Sequence, residues 1–157
     1  MFGIRSPAFA DRSPLPRRFT AEGEDVSPPL EWSEAPAATR SFALIVDDPD
    51  APDPKAPRQT FVHWVLYNIP ADAHGLPAGA DRQGLPAGTA RGRNDWKHAA
   101  YGGPAPPVGR HRYLHKLYAL DVVLADLGEP TKAQLLGAME GHVLAQAQLI
   151  GTYQSGD

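Results

Sequence analysis

Three segments of the chain have the hydrophobic pattern of β-strands. Residues 41–46 (SFALIV) are apolar at both alternating positions, which predicts a central strand buried on two faces. The Asp- and Pro-rich residues 47–57 are expected to stop this strand. Residues 61–69 (FVHWVLYNI) are β-branched and aromatic and predict a second strand, ended by Pro70. Residues 111–121 (HRYLHKLYALD) alternate between two faces and predict a third strand.

Two of these predicted strands carry histidines. Side chains two residues apart in a strand point to the same face, so His63 is expected on the face of Phe61, Val65 and Tyr67. By the same rule His111 and Tyr113 point the same way from the start of the third strand.

The pattern changes to helical spacing near the C-terminus. Thr131 followed by Gln134 is typical of a capping box at a helix start. Gly141 is expected to divide the segment into two short helices, and Gly151 fits a position just after a helix end. The apolar residues with helical spacing are Leu135, Leu136, Met139, Val143, Leu144, Ala147 and Ile150.

Composition favours a single mainly β domain over residues 1–157. The chain is 42% hydrophobic and contains 17 prolines and 15 glycines, which indicates many turns and short strands. Residues 71–92 carry a near-duplicate GLPAG at 75–79 and 84–88, too short for a structural repeat, and are expected to be a flexible connection. We therefore predict a β-sandwich with a helical segment packed against one end.

Charge and cysteine content exclude several classes of function. The formal net charge is −3, so the chain lacks the basic field that attracts nucleic acid. There are no cysteines, which excludes disulfides and thiolate metal sites and leaves a cytoplasmic location as the default expectation. The longest apolar run, residues 42–46, is far too short to span a membrane, and prolines interrupt the N-terminal residues where an export signal would be apolar.

The most informative stretch is residues 95–113, in which Gly and Pro surround two histidines and two tyrosines before the third strand begins. A stiff loop of this kind sets polar side chains at a strand entrance. Imidazole, phenol and backbone N–H groups together can hold a phosphate or carboxylate, with a second carboxylate orienting one imidazole. The side chains that could form such an anion pocket are Asp48, Asp50, His63, His111 and Tyr113.

Several motifs in order along the chain resemble the phosphatidylethanolamine-binding protein family, also called Raf kinase inhibitor proteins, and in particular its bacterial branch. They are residues 23–32 (GEDVSPPLEW), 48–52 (DPDAP), 63–70 (HWVLYNIP), 92–95 (GRND), 103–113 (GPAPPVGRHRY) and 141–153. The resemblance implies a two-sheet antiparallel β-sandwich with short C-terminal helices, a small pocket for phosphate-like or phospholipid headgroups, and a homodimer.

Carried over position by position, the resemblance also implies which residues bind the ligand. They are Asp48, Asp50, His63, Pro106, His111 and Tyr113, with Tyr101 and the Gly103 backbone nearby. Two positions depart from the family pattern: Ala105 replaces a frequent cysteine, and His115 replaces a usual aromatic residue. The deeper wall of the pocket is therefore expected to differ in polarity.

Three classes of function fit these residues. The first is a binding protein for a small anionic ligand, with no cofactor and no metal. Binding without catalysis is favoured because no nucleophile is evident and Ser27 lacks the G-x-S-x-G setting of a hydrolase. The second is an enzyme that uses His63 and His111 on a phosphoester, or that holds a metal with these histidines and Asp48. The third is a kinase or protease inhibitor that acts through protein contacts, which the resemblance alone suggests.

Overall fold

The computed structural model describes all residues, 1–157. Nine strands and two helices form the fold, with one turn of 3-10 helix at Arg17–Phe19. In chain order the elements are β1 (Gly3–Arg5), β2 (Ser13–Pro14), β3 (Leu30–Ser33), β4 (Ser41–Ala51), β5 (Gln59–Pro70), β6 (Gly75–Leu76), α1 (Ala80–Gln83), β7 (Ala90–Arg91), β8 (His111–Leu120), α2 (Lys132–Met139) and β9 (Val143–Tyr153).

The strands form two sheets. A three-stranded sheet has the order β1-β3-β6, and a six-stranded sheet has the order β2-β9-β8-β4-β5-β7. All pairs are antiparallel except the short pair β2 and β9. The predicted mainly β, two-sheet architecture is confirmed.

Strand β4 lies in the middle of the large sheet and is buried on both faces, as its apolar run predicts. Phe42, Leu44 and Val46 join an 18-residue core between the sheets, while Ala43 and Ile45 join a nine-residue core on the opposite face. The strand does not stop at residue 46 as predicted. It continues to Ala51, because the acidic residues of this segment are paired with basic side chains and backbone groups that compensate their burial.

The C-terminal prediction is half right. Helix α2 begins with the predicted capping box, in which Thr131 accepts from the Gln134 backbone and Gln134 accepts from the Thr131 backbone. The second predicted helix is wrong, because residues 143–153 form β9 and pair with β8 along its whole length. Gly141 has a φ of 83° in the turn between the two elements, and Gly151 is a buried strand residue instead of a helix end.

A register shift in β5 changes the face on which His63 lies. Asp47 pairs with Val62 and Val46 pairs with Trp64, so His63 is an extra residue between two ladder positions. The simple alternation that grouped His63 with Val65 and Tyr67 is therefore wrong. Those two residues pack in the core on the α2 side of the sheet, as Val62 does.

Candidate functional site

A cavity of about 250 Å³ lies where β4, β5 and β8 meet the Pro-rich residues 104–107. Five of the eight residues predicted to bind a ligand line it, namely Asp48, His63, Pro106, His111 and Tyr113. Its other lining residues are Ala51, Pro52, Gln59, Phe61, Trp96, Ala105 and Pro107. The chain thus brings together side chains that are up to 65 positions apart in sequence, from Asp48 to Tyr113.

His63 presents one free ring nitrogen to this cavity. Its Nδ1 lies 2.7 Å from the carbonyl oxygen of Gly102, and because a carbonyl can only accept, Nδ1 carries the proton. Nε2 forms no hydrogen bond with the protein. Burial lowers the pKa of His63 to about 4, so the ring is neutral near pH 7 and Nε2 carries a lone pair.

Tyr113 adds a free hydroxyl beside His63. Its ring is 1% exposed and lies edge-on to the His63 ring, with centroids 5.2 Å apart. Burial raises the pKa of the phenol, with a further contribution from Asp48, so the hydroxyl keeps its proton. No protein group accepts that proton, and Tyr113 is therefore a hydrogen-bond donor available to a ligand.

His111, in contrast, has both ring nitrogens engaged. Nδ1 lies 2.6 Å from Oδ2 of Asp48, and Nε2 lies 2.8 Å from the carbonyl oxygen of Val108. Two acceptors face the ring, so either the imidazole carries both protons or the carboxyl of Asp48 holds one of them. Burial raises the pKa of Asp48, although its hydrogen bonds to His111 and the Asp50 backbone lower it. The pair is a fixed wall of the cavity.

Asp50 lies outside the cavity lining and holds the start of β8. It accepts two hydrogen bonds from the Arg112 guanidinium, both 3.0 Å long, and a third from the Arg112 backbone at 2.9 Å. Burial by itself raises the pKa of Asp50, but the hydrogen bonds and charge of Arg112 outweigh it and lower the pKa below its ordinary value. These bonds tie the end of β4 to the residue between His111 and Tyr113.

Tyr101 and Gly103 also lie outside the first cavity. The Tyr101 hydroxyl donates to the carbonyl oxygen of Phe19 at 2.6 Å, and the Gly103 amide donates to Oδ1 of Asp25 at 2.7 Å. Both residues line a second cavity of about 390 Å³, which shares Trp96 and Ala105 with the first. The family resemblance implies that they lie near the ligand pocket, and in the structure they line the second cavity together with Trp96.

The two departures from the family pattern lie in different places. Ala105 lines both cavities, so a small side chain leaves room there. His115 lines neither cavity. Its Nδ1 lies 3.0 Å from the carbonyl oxygen of Tyr113, and its ring packs against the Phe9 ring with centroids 5.7 Å apart. Burial lowers the pKa of His115 to about 4, so it is a neutral core residue.

Sequence reasoning missed Asp81, which organises the backbone behind the site. Its carboxylate accepts from Trp64 Nε1 at 3.1 Å, Arg91 Nε at 3.2 Å and the Tyr101 amide at 3.1 Å. Asp81 lies in helix α1, within the segment predicted to be a flexible connection; that segment instead forms β6, α1 and β7. All three partners are distant in sequence, and no local motif indicated them.

The C-terminal residues hold the Pro-rich loop from the other side. Ser155 donates to the carbonyl oxygen of Pro106 at 2.7 Å, and Asp157 pairs with Arg110 at 2.7 Å. Glu22 accepts from the Tyr153 hydroxyl and from the Gly156 amide. One wall of the cavity is thus fixed by contacts with the chain end.

No group of three or more His, Cys, Asp or Glu side chains is arranged to hold a metal ion. None of the helices has the length and apolar character needed to cross a bilayer.

Comparison with known proteins identifies the family. A sequence model described as phosphatidylethanolamine-binding protein matches residues 5–154. The chain belongs to the phosphatidylethanolamine-binding protein family. Solved structures agree: a phosphatidylethanolamine-binding protein homologue from Chlamydia trachomatis superposes with a TM-score of 0.89 at 38% identity, covering 98% of this chain and 97% of its own.

Two further relatives are similar over nearly the full length of the chain. Escherichia coli YbcL superposes with a TM-score of 0.88 at 32% identity, with 98% of both chains covered. A UPF0098 protein from Methanothermobacter thermautotrophicus is 47% identical over 154 residues, 98% of this chain and 99% of the relative. The predicted family is confirmed.

Proposed function

We propose that the cavity formed by His63, His111 and Tyr113 binds a small ligand through a phosphate-like or carboxylate group. The observation that carries this proposal is the convergence of two unpartnered polar atoms, His63 Nε2 and Tyr113 Oη, in one cavity. Membership in a family described by phosphatidylethanolamine binding supports the same ligand class.

The two free groups fit an anion that is itself protonated, or an anion whose binding protonates His63. Tyr113 donates its hydroxyl proton to one anion oxygen. His63 is neutral, so it either accepts a hydrogen bond from a protonated ligand oxygen or takes up a proton as the ligand binds. In both cases binding is coupled to one proton and strengthens as pH falls. The His111–Asp48 pair holds the opposite wall in place.

The size of the cavity limits what enters it. Pockets for drug-sized ligands have volumes of about 300 to 1,000 Å³, and this cavity is slightly smaller than that range. It therefore accepts a headgroup and leaves any acyl chain outside. Phe61 and Trp96 form its apolar side, and the Trp96 side chain is 42% exposed at the mouth.

Calorimetric titration with inorganic phosphate and with glycerophosphoethanolamine tests the proposal. Tyr113→Phe removes one hydroxyl and should weaken phosphate binding about ten-fold or more, since a lost hydrogen bond to a charged group is worth about 1.5 to 3 kcal/mol. Tyr118→Phe is the matched control, because Tyr118 is a buried tyrosine on the other face of the same strand. Equal affinities for wild type and Tyr113→Phe would overturn the proposal.

The two probes also separate the possible sources of the anion. Tighter binding of glycerophosphoethanolamine than of phosphate would indicate a phospholipid headgroup. Tighter or equal binding of phosphate would indicate a free or differently esterified phosphate. Inorganic sulfate stays a dianion between pH 7 and 5. A rise in sulfate affinity over this range would therefore report protonation of the protein alone.

The proposal includes the assembly and location expected from the sequence, a homodimer in the cytoplasm. Light scattering at high protein concentration measures the mass, and a monomer mass would remove the dimer from the proposal.

A further inference from the structure

The second cavity, behind Trp96, differs from the first in its carboxylate: Asp48 of the first cavity is paired with His111, whereas Asp25 of the second has no cationic partner. Its volume is about 390 Å³, and Asp25, Trp96, His98 and Tyr101 contribute side chains to its wall. The backbone of Gly102 and Gly103 forms its floor, and a Cβ on Gly102 would collide with the Trp96 ring. No lysine or arginine lines this cavity.

Asp25 supplies a carboxylate without a cationic partner. Oδ1 accepts from the Gly103 amide at 2.7 Å, and Oδ2 has no protein partner. Asp25 forms no salt bridge; the nearby Arg82 donates to the backbone carbonyl oxygens of Glu24 and Asp25 at 3.4 and 3.0 Å. The residue is half-buried, so its charge is only partly screened by solvent.

The backbone keeps this carboxylate in position. Asp25 has a φ of 58°, and its amide donates to the carbonyl oxygen of Thr20 at 3.1 Å. The hydrogen bond to Gly103 fixes the carboxylate against the opposite loop. A negative charge is therefore held at the wall of the cavity at little further entropic cost.

The other walls are aromatic. Trp96 is exposed, and Tyr101, whose hydroxyl donates to the carbonyl oxygen of Phe19, also lines the cavity. Aromatic side chains attract organic cations through the quadrupole of the ring. A single carboxylate is too few ligands for Ca²⁺ or Mg²⁺, which require about six oxygen ligands.

We infer that the cavity formed by Asp25, Trp96 and Tyr101 is a binding site for a small organic ammonium ion. The carboxylate neutralises the cation, and the aromatic rings contact its methyl or methylene groups. This site is distinct from the phosphate-like site, because the two share only Trp96 and Ala105 as lining residues and carry different polar groups.

Titration with tetramethylammonium and methylammonium tests the inference. Saturable shifts of the Trp96 indole and the Gly102 and Gly103 amide signals in ¹⁵N-resolved NMR are expected with at least one of the two ions. Tert-butanol, a neutral molecule of similar size to tetramethylammonium, should give no saturable shift. Tighter binding of methylammonium would assign the larger contribution to Asp25, and tighter binding of tetramethylammonium would assign it to the aromatic rings.

The deciding variant is Asp25→Asn, which retains an oxygen for the Gly103 amide and removes only the charge. Ammonium affinity should fall at least five-fold, while an unshifted Gly103 amide signal shows that the loop is intact. Asp53→Asn is the matched control, because Asp53 is also half-buried and also accepts a backbone amide, from Lys55. Asp25→Asn with wild-type affinity, or saturable binding of tert-butanol, would overturn the inference.

A second control separates this site from the phosphate-like site. Tyr113→Phe should leave ammonium affinity unchanged, because Tyr113 does not line the second cavity and the variant removes only its hydroxyl. If Tyr113→Phe abolished both kinds of binding, the two cavities would be one site and the inference would be wrong.

Discussion

The imidazole of His111 is held between Asp48 Oδ2 and the carbonyl oxygen of Val108, at 2.6 and 2.8 Å. The ring therefore cannot turn to donate to a ligand without breaking one of two buried hydrogen bonds. In the proposed complex, its role is to hold the wall of the cavity beside the anion. In the proposed complex, His63 and Tyr113 make the direct contacts instead.

We expect Asp48→Asn to weaken phosphate binding by about 1 kcal/mol or more, the scale of a charge-assisted hydrogen bond. The amide can donate to Nδ1 of His111, which keeps the pair hydrogen-bonded but leaves the ring neutral. His111→Ala should weaken binding as well. It should also destabilise the protein by roughly 3 to 5 kcal/mol, because the buried carboxylate of Asp48 loses its partner.

Calorimetry and denaturant unfolding of the same variants measure the two effects. His74→Ala, an exposed histidine outside the phosphate-like cavity, should change neither quantity. Tighter phosphate binding by Asp48→Asn would show that the negative charge of Asp48 opposes the anion and that the assignment of His111 is mistaken.

Protein stability should fall as pH is lowered from about 6.5 to 4. Burial lowers the pKa of both His63 and His115 from 6.5 to about 4 in the folded protein. Between these values the unfolded chain binds more protons, so each pH unit removes up to about 1.4 kcal/mol of unfolding free energy per histidine. Urea unfolding at several pH values checks this slope.

Replacing either buried histidine should flatten that profile. The difference between wild type and His115→Gln isolates one histidine, since all other titrating groups are common to both proteins. The exposed His98→Gln should retain the wild-type slope. A His115→Gln profile parallel to that of wild type would contradict the prediction.

Two leucines of β9 should respond very differently to truncation. Leu149 is 2% exposed in the core between the sheets, so Leu149→Ala should destabilise by about 2 to 5 kcal/mol. Leu144 is 39% exposed, so Leu144→Ala should cost less than about 0.5 kcal/mol. Equal losses in thermal or denaturant unfolding would mean that residues 143–149 do not form the strand described above.

Thr131→Ala should destabilise the protein by about 1 kcal/mol. The substitution removes the side-chain acceptor of the capping box and leaves the Gln134 amide without its partner. Thr131→Ser retains the hydroxyl and should be close to wild type. Denaturant midpoints of the two variants measure the difference, and identical midpoints would show that the cap contributes nothing.

Asp81→Ala should destabilise the protein by roughly 2 kcal/mol or more. The substitution removes the acceptor of the buried Trp64 indole, of the charged Arg91 guanidinium and of the Tyr101 amide. Asp81→Asn retains one acceptor oxygen and should lose less. Amide exchange at Tyr101 should accelerate in both variants, since its amide loses the charge that accepts its hydrogen bond. Unchanged exchange at Tyr101 would contradict this role.

The fold could be predicted from the sequence where local pattern and burial agree. Residues 41–46 are apolar on both faces, as the central strand β4 requires, and residues 111–121 alternate, as β8 requires. The motif-based resemblance implied the two sheets. Strand β9 was missed because Val143, Leu144, Ala147 and Ile150 satisfy helical spacing. Pairing with the whole of β8 decides the outcome, and this long-range contact has no signature within the segment.

Within the candidate site, the sequence indicated mainly the side chains with ionisable or hydrogen-bonding groups. Asp48, His63, His111 and Tyr113 have ionisable or donor groups that single them out, and all four line one cavity. The engagement of both nitrogens of His111 depends on the Val108 carbonyl, a backbone group that no residue type encodes. The roles of such residues follow from geometry alone.

Because His63 is an extra residue in β5, the strand pairing of the sheet does not depend on the side chain at this position of the proposed site. Val62 and Trp64 already occupy consecutive ladder positions opposite Asp47 and Val46, so deletion of His63 would leave every other pairing of the strand in register. Shortening the chain by this one residue should therefore yield an intact sandwich without the imidazole. At such a position, a substitution or deletion can change the side chain in the proposed site of a family member while the strand pairing of the sheet stays the same.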